Sequence, residues 1–214
     1  LDLTIFNTPV TDITACDSYT WPIDGLTYTQ SGTYSYTSTP NIGDYYQGGV
    51  VFYLDSQGGG LIADTSDLAN AKWGCMGQVN GANGISIGVG DTNTNYIINS
   101  CQENNIAARL CANSTNQGYT DWYLPSKQEL HAMYTNRSFI EAHGDPFVNS
   151  TYWSSSEVDS NYAYFVSFST GSQNSVIKQT LTNVRAIRSF SSLDSSSFGL
   201  CDSIILNLTI LESS

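Results

Sequence analysis

The sequence predicts an α+β chain in which a larger domain is inserted into a small all-β repeat module of the Ig-like sandwich kind. Two echoes support the repeat: residues 1–5 (LDLTI) return as 206–210 (LNLTI), and residues 16–18 (CDS) return as 201–203. Self-similarity of this kind is typical of repeat arrays. Between the copies lie segments with both strand and helix patterns. We therefore expect one period of a tandem array, carrying an inserted domain.

The β module is expected at residues 1–39 plus 191–214, and the inserted domain at 41–190. Leu1, Leu3 and Ile5 alternate with polar residues, which is the pattern of a half-buried strand. The first echo matches the closing strand of a module, so its natural partner is expected in a preceding copy. Further strands of the module are predicted at 19–21, 26–29, 33–37 and 202–211.

The first half of the inserted domain predicts two strands followed by two helices. Val50–Leu54 is apolar and β-branched, and Leu61–Ala63 is a second short strand after a glycine turn. Asp91 is expected to cap a helix. That helix would turn four side chains inward: Tyr96, Ile97, Ile98 and Cys101. A second short helix would place Ile106, Leu110 and Cys111 on one face.

The second half opens with a helix and continues as strands. Ser126 and Glu129 form a capping-box pattern directly after Pro125. Strands are predicted at 152–153, 162–169, 174–177 and 184–190. If the first and last strands of the domain pair, its two ends lie together, as an insertion into a host loop requires.

The composition excludes several partners. Only 12% of residues are charged and the net charge is −12, whereas nucleic acids are bound by clustered Lys and Arg. The same acidity argues against sulfated polysaccharides unless cations intervene. No apolar run approaches the roughly 20 residues that span a bilayer. We therefore expect no nucleic acid partner and no membrane insertion.

The five cysteines predict disulfides in an oxidising, extracellular compartment. Cys16 and Cys201 lie in the two echoes, so their pairing would join the halves of the module. Cys101 and Cys111 are close in sequence and are expected to pair, which leaves Cys75 free. The alternative is that the inner three are reduced, buried thiols.

Several motifs follow one another along the inserted domain: GGVVFY at 48–53, WGC at 73–75, GYTDWYLPS at 118–126, YWSSSE at 152–157 and VRAIRSF at 184–190. In this order they resemble the C-terminal domain of collagen-like bacterial adhesins, the Lcl-C family, over about residues 43–190. The resemblance implies a C-type-lectin-like fold, distantly similar to formylglycine-generating enzymes. The flanks resemble a tandem module of large secreted bacterial surface proteins.

The stretch from residue 153 to 175 is the predicted ligand face, because aromatic side chains beside short polar ones suit sugars and protein epitopes. The alternative is that its aromatic residues belong to the core and the rest is ordinary strand surface. The residues expected to contact a ligand are Trp153, Ser155, Glu157, Asp159, Asn161, Tyr162 and Tyr164.

Calcium is the one cofactor considered, because it prefers several oxygen ligands. Glu157 and Asp159, separated by one residue, would lie on one face of a strand, and Asp64 and Asp67 form a second close pair. Solvated surface acids are the alternative, and no complete ligand set is predicted.

We expect a non-enzymatic extracellular module of a bacterial surface protein that binds a glycan or a surface protein. His131 and His143 lie beside no recognisable nucleophile motif. The formylglycine chemistry needs a reactive cysteine near the end of its domain, where this chain has none between Cys111 and Cys201. The alternative function is a structural repeat unit of a filament that pairs with neighbouring copies, with the inserted domain as decoration.

Overall fold

The computed structural model describes residues 10–20, 27–37, 40–191 and 203–211. The chain divides into two compact units, which are described separately. The terminal unit consists of Leu1–Thr39 and Leu193–Ser214, and the central unit is Pro40–Ser192. Strands outnumber helices, so the chain is a mixed α+β protein with mainly β structure.

The described residues of the terminal unit form five strands: β1 (Val10–Cys16), β2 (Tyr19–Thr20), β3 (Thr27–Tyr28), β4 (Gly32–Thr37) and β14 (Ser203–Leu211). β14 lies in the middle of a three-stranded sheet, parallel to β1 and antiparallel to β4. β2 and β3 form a separate hairpin. The predicted closing strand is confirmed, and β1 was not predicted. The strand predicted at residues 1–5 lies outside the described residues.

The central unit contains nine of the strands and the helices. The strands are β5 (Tyr45–Tyr46), β6 (Gly49–Leu54), β7 (Gly60–Ala63), β8 (Leu68–Ala71), β9 (Thr151–Glu157), β10 (Tyr162–Ser167), β11 (Gln173–Ile177), β12 (Thr182–Val184) and β13 (Ile187–Phe190). The helices are α1 (Gly90–Ser100), α2 (Ala107–Ala112), α3 (Lys127–Thr135) and α4 (Arg137–Glu141). A short 3-10 turn covers Asn116–Gly118.

Two sheets organise this unit. The five-stranded sheet has the order β11-β10-β9-β12-β8, and the four-stranded sheet has the order β13-β7-β6-β5. β6 and β7 are apolar; the first four residues of β6 and all of β7 are buried. Their turn is held by Asp55, whose side chain accepts the N–H groups of Gln57 and Gly59, each at 2.8 Å. A side chain at Gly60 would meet the Tyr53 carbonyl oxygen, so this position requires glycine.

The first and last predicted strands of the inserted domain do not pair with each other. β6 and β13 both pair with β7, which lies between them. The ends of the central unit still meet, because the rings of Tyr46 and Phe190 pack edge to face with centroids 5.2 Å apart. The predicted strand 184–190 is also divided. β12 and β13 belong to different sheets, and Arg185 is buried in the segment between them.

The capping box of α3 is confirmed. The Ser126 hydroxyl accepts the Glu129 N–H, and the Glu129 carboxylate accepts the Ser126 N–H at 2.7 Å. Asp91 does not cap α1: the N-cap is Val89, with no side-chain hydrogen bond, and Asp91 lies in the first turn. Tyr96 is 52% exposed and does not point inward, whereas Ile97 and Cys101 are buried as predicted.

The core of the central unit contains three tryptophans, Trp73, Trp122 and Trp153, all buried. They pack in one cluster with residues of α1 and α2, while a second cluster joins β6 to α3 and α4. Within the described residues, no helix combines the length and the apolar character that crossing a bilayer would require.

Candidate functional site

The predicted ligand face divides into a buried part and an exposed part. We call residues 151–157 the buried strand and residues 158–177 the outer hairpin. Trp153 and Ser155 are 0% exposed and Glu157 is 4% exposed. In the outer hairpin, Asp159, Asn161 and Tyr162 are exposed and Tyr164 is half-buried. Only the hairpin residues therefore present side chains to a ligand.

The buried strand lies in the middle of its sheet, between β10 and β12, and α1 and α3 pack against it. The Trp153 indole donates to the Ala71 carbonyl at 3.0 Å, and the Trp73 indole donates to the Ser154 carbonyl at 2.9 Å. Both indole N–H groups are thus satisfied inside the core. Trp153 and Ser155 have no exposed surface, which corrects the expectation that they contact a ligand.

The serines of the buried strand hold neighbouring segments. Ser154 donates to the Tyr164 carbonyl at 2.8 Å, and Ser156 donates to the Gly84 carbonyl at 2.6 Å. The Lys127 N–H donates to the Ser156 hydroxyl at 2.9 Å. Because buried hydroxyls need partners, these serines bond the sheet to α3 and to the loop that contains Gly84.

Glu157 forms the most buried ion pair of the described residues. Its Oε1 lies 2.6 Å from Lys178 Nζ, and both side chains are almost inaccessible to solvent. Its carboxylate also accepts the N–H groups of Asn80 and Gly81. Lys178 donates to the Gln78 carbonyl at 2.9 Å. Glu157 therefore anchors the loop at 76–82 and does not face a ligand, contrary to prediction.

The carboxylate pairs considered for calcium do not converge. Glu157 is neutralised by Lys178, while Asp159 accepts the N–H groups of Asn161 and Tyr162 at 2.7 and 2.9 Å in its own turn. Neither arrangement leaves a shared set of free oxygens of the kind that calcium requires.

The second pair is also divided between internal partners. Asp64 accepts a hydrogen bond from Asn116, and burial raises the pKa of its carboxyl above the ordinary value. Asp67 pairs with Arg185 at 2.6 Å and accepts the Tyr152 hydroxyl at 2.7 Å. Asp64 and Asp67 thus hold the sheet and its loops together and do not fit a calcium site.

One metal-sized cluster occurs in the described part of the chain, formed by Cys75, Cys101 and Glu103. Its two sulfurs are joined in a disulfide. Metals are bound by thiolates, so this oxidised pair does not supply the ligands of a metal site. Glu103 instead accepts the Cys75 N–H at 2.9 Å.

The predicted pairing of Cys101 with Cys111 is wrong, because Cys75 pairs with Cys101. Cys101 follows α1 directly and faces the bend at Gly74, where a side chain would lie 3.3 Å from the Cys101 sulfur. Cys111 is a free thiol on the buried side of α2, and burial raises its pKa. The predicted Cys16–Cys201 bridge involves side chains outside the described part of the structure.

The outer hairpin forms the edge of the five-stranded sheet, since among the described residues β11 pairs only with β10. Tyr162 lies opposite Ile177, and these side chains are 42% and 44% exposed. Tyr164 lies opposite Ser175, and the Lys127 ammonium is 4.3 Å from the centre of its ring. The described hairpin edge is therefore polar and carries no charged residue along β11. Its aromatic residues, Tyr162 and Tyr164, lie on β10.

The two histidines lie apart from this edge. His131 is half-buried on α3 and stacks on Tyr134 with ring centroids 6.1 Å apart. His143 is exposed beside Tyr45, at 6.5 Å. Within the described residues, neither histidine ring bonds to a serine or cysteine, so the geometry there assembles no nucleophile–base pair around them.

A cavity of about 360 Å³ opens beside α1, and we call it the α1 cavity. Asp91, Asn95 and Ile98 of the helix line one wall, and the segment 120–123 lines the other. Ser189 of β13 lies at its margin. The sequence patterns did not indicate this cavity, because its polar residues come from segments that are far apart in the chain.

The comparisons with known proteins agree with the motif order. The Lcl C-terminal domain family matches residues 70–188, which is more than half of the chain and runs from β8 into β13. No curated protein matches the chain.

Proposed function

Because the chain belongs to the Lcl C-terminal domain family, we propose that it is a non-enzymatic recognition module of a bacterial surface protein. The family indicates a surface or adhesion-type module, and the Cys75–Cys101 disulfide suits an oxidising extracellular location. The proposal includes a C-type-lectin-like fold for the central unit and an Ig-like, tandemly repeated module for the terminal unit.

The outer hairpin is the proposed recognition surface, and its open edge is the observation that carries the proposal. The side chains of Gln173, Asn174 and Ser175 are exposed on β11, which pairs on one side only. An uncharged edge strand is free to add a strand from another protein. Tyr162 and Ile177 would supply apolar contact beside it.

A partner protein fits this edge better than a glycan does. Backbone pairing supplies affinity along an edge, while flanking side chains supply specificity. Glycan binding remains the second candidate, favoured by the exposed Tyr162 ring beside Asp159 and Asn161. The two candidates differ in the probe that binds, and they share the residues that must be changed to abolish binding.

The absence of catalysis is part of the proposal. The serines, acids and lysine nearest the face are engaged in the contacts described above, which stabilise the sheet. Binding through exposed side chains therefore accounts for the arrangement without a chemical step.

The test is a binding screen of the whole chain against a glycan array and a panel of extracellular-matrix proteins, with and without calcium. Tyr162→Ala combined with Tyr164→Ala should weaken binding at the outer hairpin by about tenfold or more, since aromatic contacts dominate interfaces. The matched control is Tyr45→Ala combined with Tyr96→Ala, two tyrosines 49% and 52% exposed elsewhere on the central unit. Equal losses in both variants, or binding to neither panel, would contradict the proposal.

A structural function for the terminal unit is a separate, third candidate. The second echo, at 206–210, lies in β14 and is paired on both sides; Leu206, for example, lies between Thr11 and Tyr34. If the first echo plays the same part in a preceding copy, the chain links neighbouring repeats. Deletion of residues 1–6 should then abolish assembly in sedimentation experiments while the central unit keeps its fold. Unchanged assembly would remove this candidate.

A further inference from the structure

We propose that the α1 cavity is a binding site for an uncharged saccharide, held through adjacent hydroxyl groups. The cavity volume of about 360 Å³ falls within the range of small-molecule sites. None of its lining residues belongs to the outer hairpin. This inference therefore adds a second binding site to the chain and does not depend on recognition by the hairpin.

Asp121 is the fixed polar group of the cavity. Its two carboxylate oxygens each accept one N–H of Arg188 at 2.8 Å, in a two-pronged pair. Arg188 is itself buried, lies 3.9 Å from the centre of the Tyr119 ring, and donates to the Gln47 carbonyl at 2.9 Å. The carboxylate is thereby held in one orientation, although its side chain is 51% exposed.

Each Asp121 oxygen keeps acceptor capacity beyond its bond to Arg188, because a carboxylate has about four lone-pair sites. Two neighbouring oxygens with fixed spacing can accept two adjacent hydroxyl groups. A sugar ring carries such hydroxyl pairs, so its chemistry matches the carboxylate.

The donors of the cavity walls are largely used within the protein. The Trp122 indole donates to the Asn116 carbonyl at 3.1 Å, and the Thr94 hydroxyl donates to the Gly90 carbonyl at 2.8 Å. Asn95 donates to Asp91 at 3.1 Å. The remaining polar groups include the carboxylates of Asp91 and Asp121, which accept hydrogen bonds and favour a ligand that carries hydroxyl groups.

The accessible apolar part of the lining comes from the half-buried Ile98 and Ala112. These side chains suit the C–H face of a sugar ring, as in other sites that combine a few placed polar groups with an apolar wall. Anionic sugars are disfavoured, because the cavity holds Asp91 and Asp121, its nearby Arg188 is already paired, and the chain carries a net charge of −12. The ligand class is therefore a neutral glycoside.

The experiment is an NMR titration of the isotopically labelled whole chain with methyl glycosides of glucose, galactose, mannose and N-acetylglucosamine. At least one should shift the signals of the amides of 120–123 and of Asn95 and Ser189 in a saturable manner, without added calcium. The 6-sulfated form of that glycoside should bind at least about tenfold more weakly, because like charges repel.

Asn95→Leu should lower the affinity for the glycoside by at least about tenfold. The larger apolar side chain would occupy part of the cavity, and a polar group would be lost. Leucine is a good helix former, so the variant should fold. The matched control is Asn99→Leu, an exposed position of the same helix outside the lining, which should bind as the unchanged chain does.

Three results would overturn the proposal: no saturable shift at these residues with any of the four glycosides, equal binding by the two leucine variants, or a requirement for calcium. The hairpin variant Tyr162→Ala with Tyr164→Ala should leave the titration unchanged. Failure of the cavity site is thus distinguishable from failure of the proposed recognition surface.

Discussion

The buried strand and the outer hairpin are neighbours in sequence and similar in composition, yet the structure uses them in opposite ways. Both are rich in Ser, and each contains tyrosine and one acidic residue. The buried strand lies between two other strands and beneath two helices, so its polar groups bond within the protein. β11 lies at the sheet edge and leaves its polar groups exposed. Position in the sheet, and not residue type, separates the stabilising strand from the proposed recognition surface.

The largest expected effect comes from breaking the buried ion pair beneath the hairpin. Lys178→Met leaves the Glu157 carboxylate buried without its counter-charge, and such losses cost about 3–5 kcal/mol. We expect that decrease in the free energy of unfolding, measured by denaturant titration. Lys72→Met is the matched control, since Lys72 is exposed. A loss no larger than in the control would show that the pair does not anchor the loop at 76–82.

Removal of the disulfide should have the next largest effect on the free energy of unfolding, and a labelling experiment can show which cysteines form it. Replacing Cys75 and Cys101 together with Ser should cost about 3 kcal/mol, given a sequence separation of 26 residues. Thiol labelling of the unfolded, unreduced chain should mark Cys111 and leave Cys75 and Cys101 unmarked, as read by peptide mass spectrometry. Labelling of Cys75 would instead support the pairing of Cys101 with Cys111 and contradict the Cys75–Cys101 disulfide.

The contribution of the α3 capping box to the free energy of unfolding should depend on pH. Glu129 accepts the N–H groups of Gly88 and Ser126, each at 2.7 Å, so Glu129→Gln places an amide against one donor and should cost about 1–3 kcal/mol. Burial raises the pKa of Glu129 above its ordinary value. The folded chain therefore holds this proton more tightly than the unfolded chain does.

The resulting stabilisation is complete below the unfolded pKa and is lost as the pH rises through the folded one. The difference in free energy of unfolding between the unchanged chain and Glu129→Gln should shrink as the pH rises above about 4, the ordinary range of a glutamate carboxyl. Denaturant titrations over a series of pH values from there upward measure it. A difference that grows with pH would mean that the backbone donors outweigh burial.

The smallest effect on stability is expected in the outer hairpin. Tyr162→Ala should change the free energy of unfolding by about 0.5 kcal/mol or less, because the side chain is 42% exposed and lies on an outer strand pair. Thermal unfolding beside the unchanged chain measures the shift. A loss comparable with that of Lys178→Met would make Tyr162 structural and remove the contrast between the two regions.

Local signals in the sequence were sufficient for several elements. The capping box of α3 depends on two residues three positions apart, and the strands β6 and β7 depend on runs of apolar residues. Their physical causes are local, so the sequence contains them. The division of the chain near residues 40 and 191 likewise follows a change of composition and the terminal echoes.

Apart from the cap and the inward face of α1, the errors concern contacts between distant segments. Cys101 is closer in sequence to Cys111 than to Cys75, but the bend at Gly74 brings Cys75 to it. Glu157 resembled a surface acid because its partner, Lys178, follows a further hairpin. Trp153 resembled a sugar platform because both faces of β9 are covered only in the folded sheet. The pairing of Asp121 with Arg188 had no local signal either.

Hydrogen–deuterium exchange tests the division between the two regions most directly. The probe is whichever glycan or matrix protein binds in the screen, added to the whole chain at saturation. New protection should appear in residues 158–164 and 173–177, while residues 151–157 are already protected in the free chain. Protection that appears elsewhere in the chain, with none in the outer hairpin, would contradict recognition through this edge.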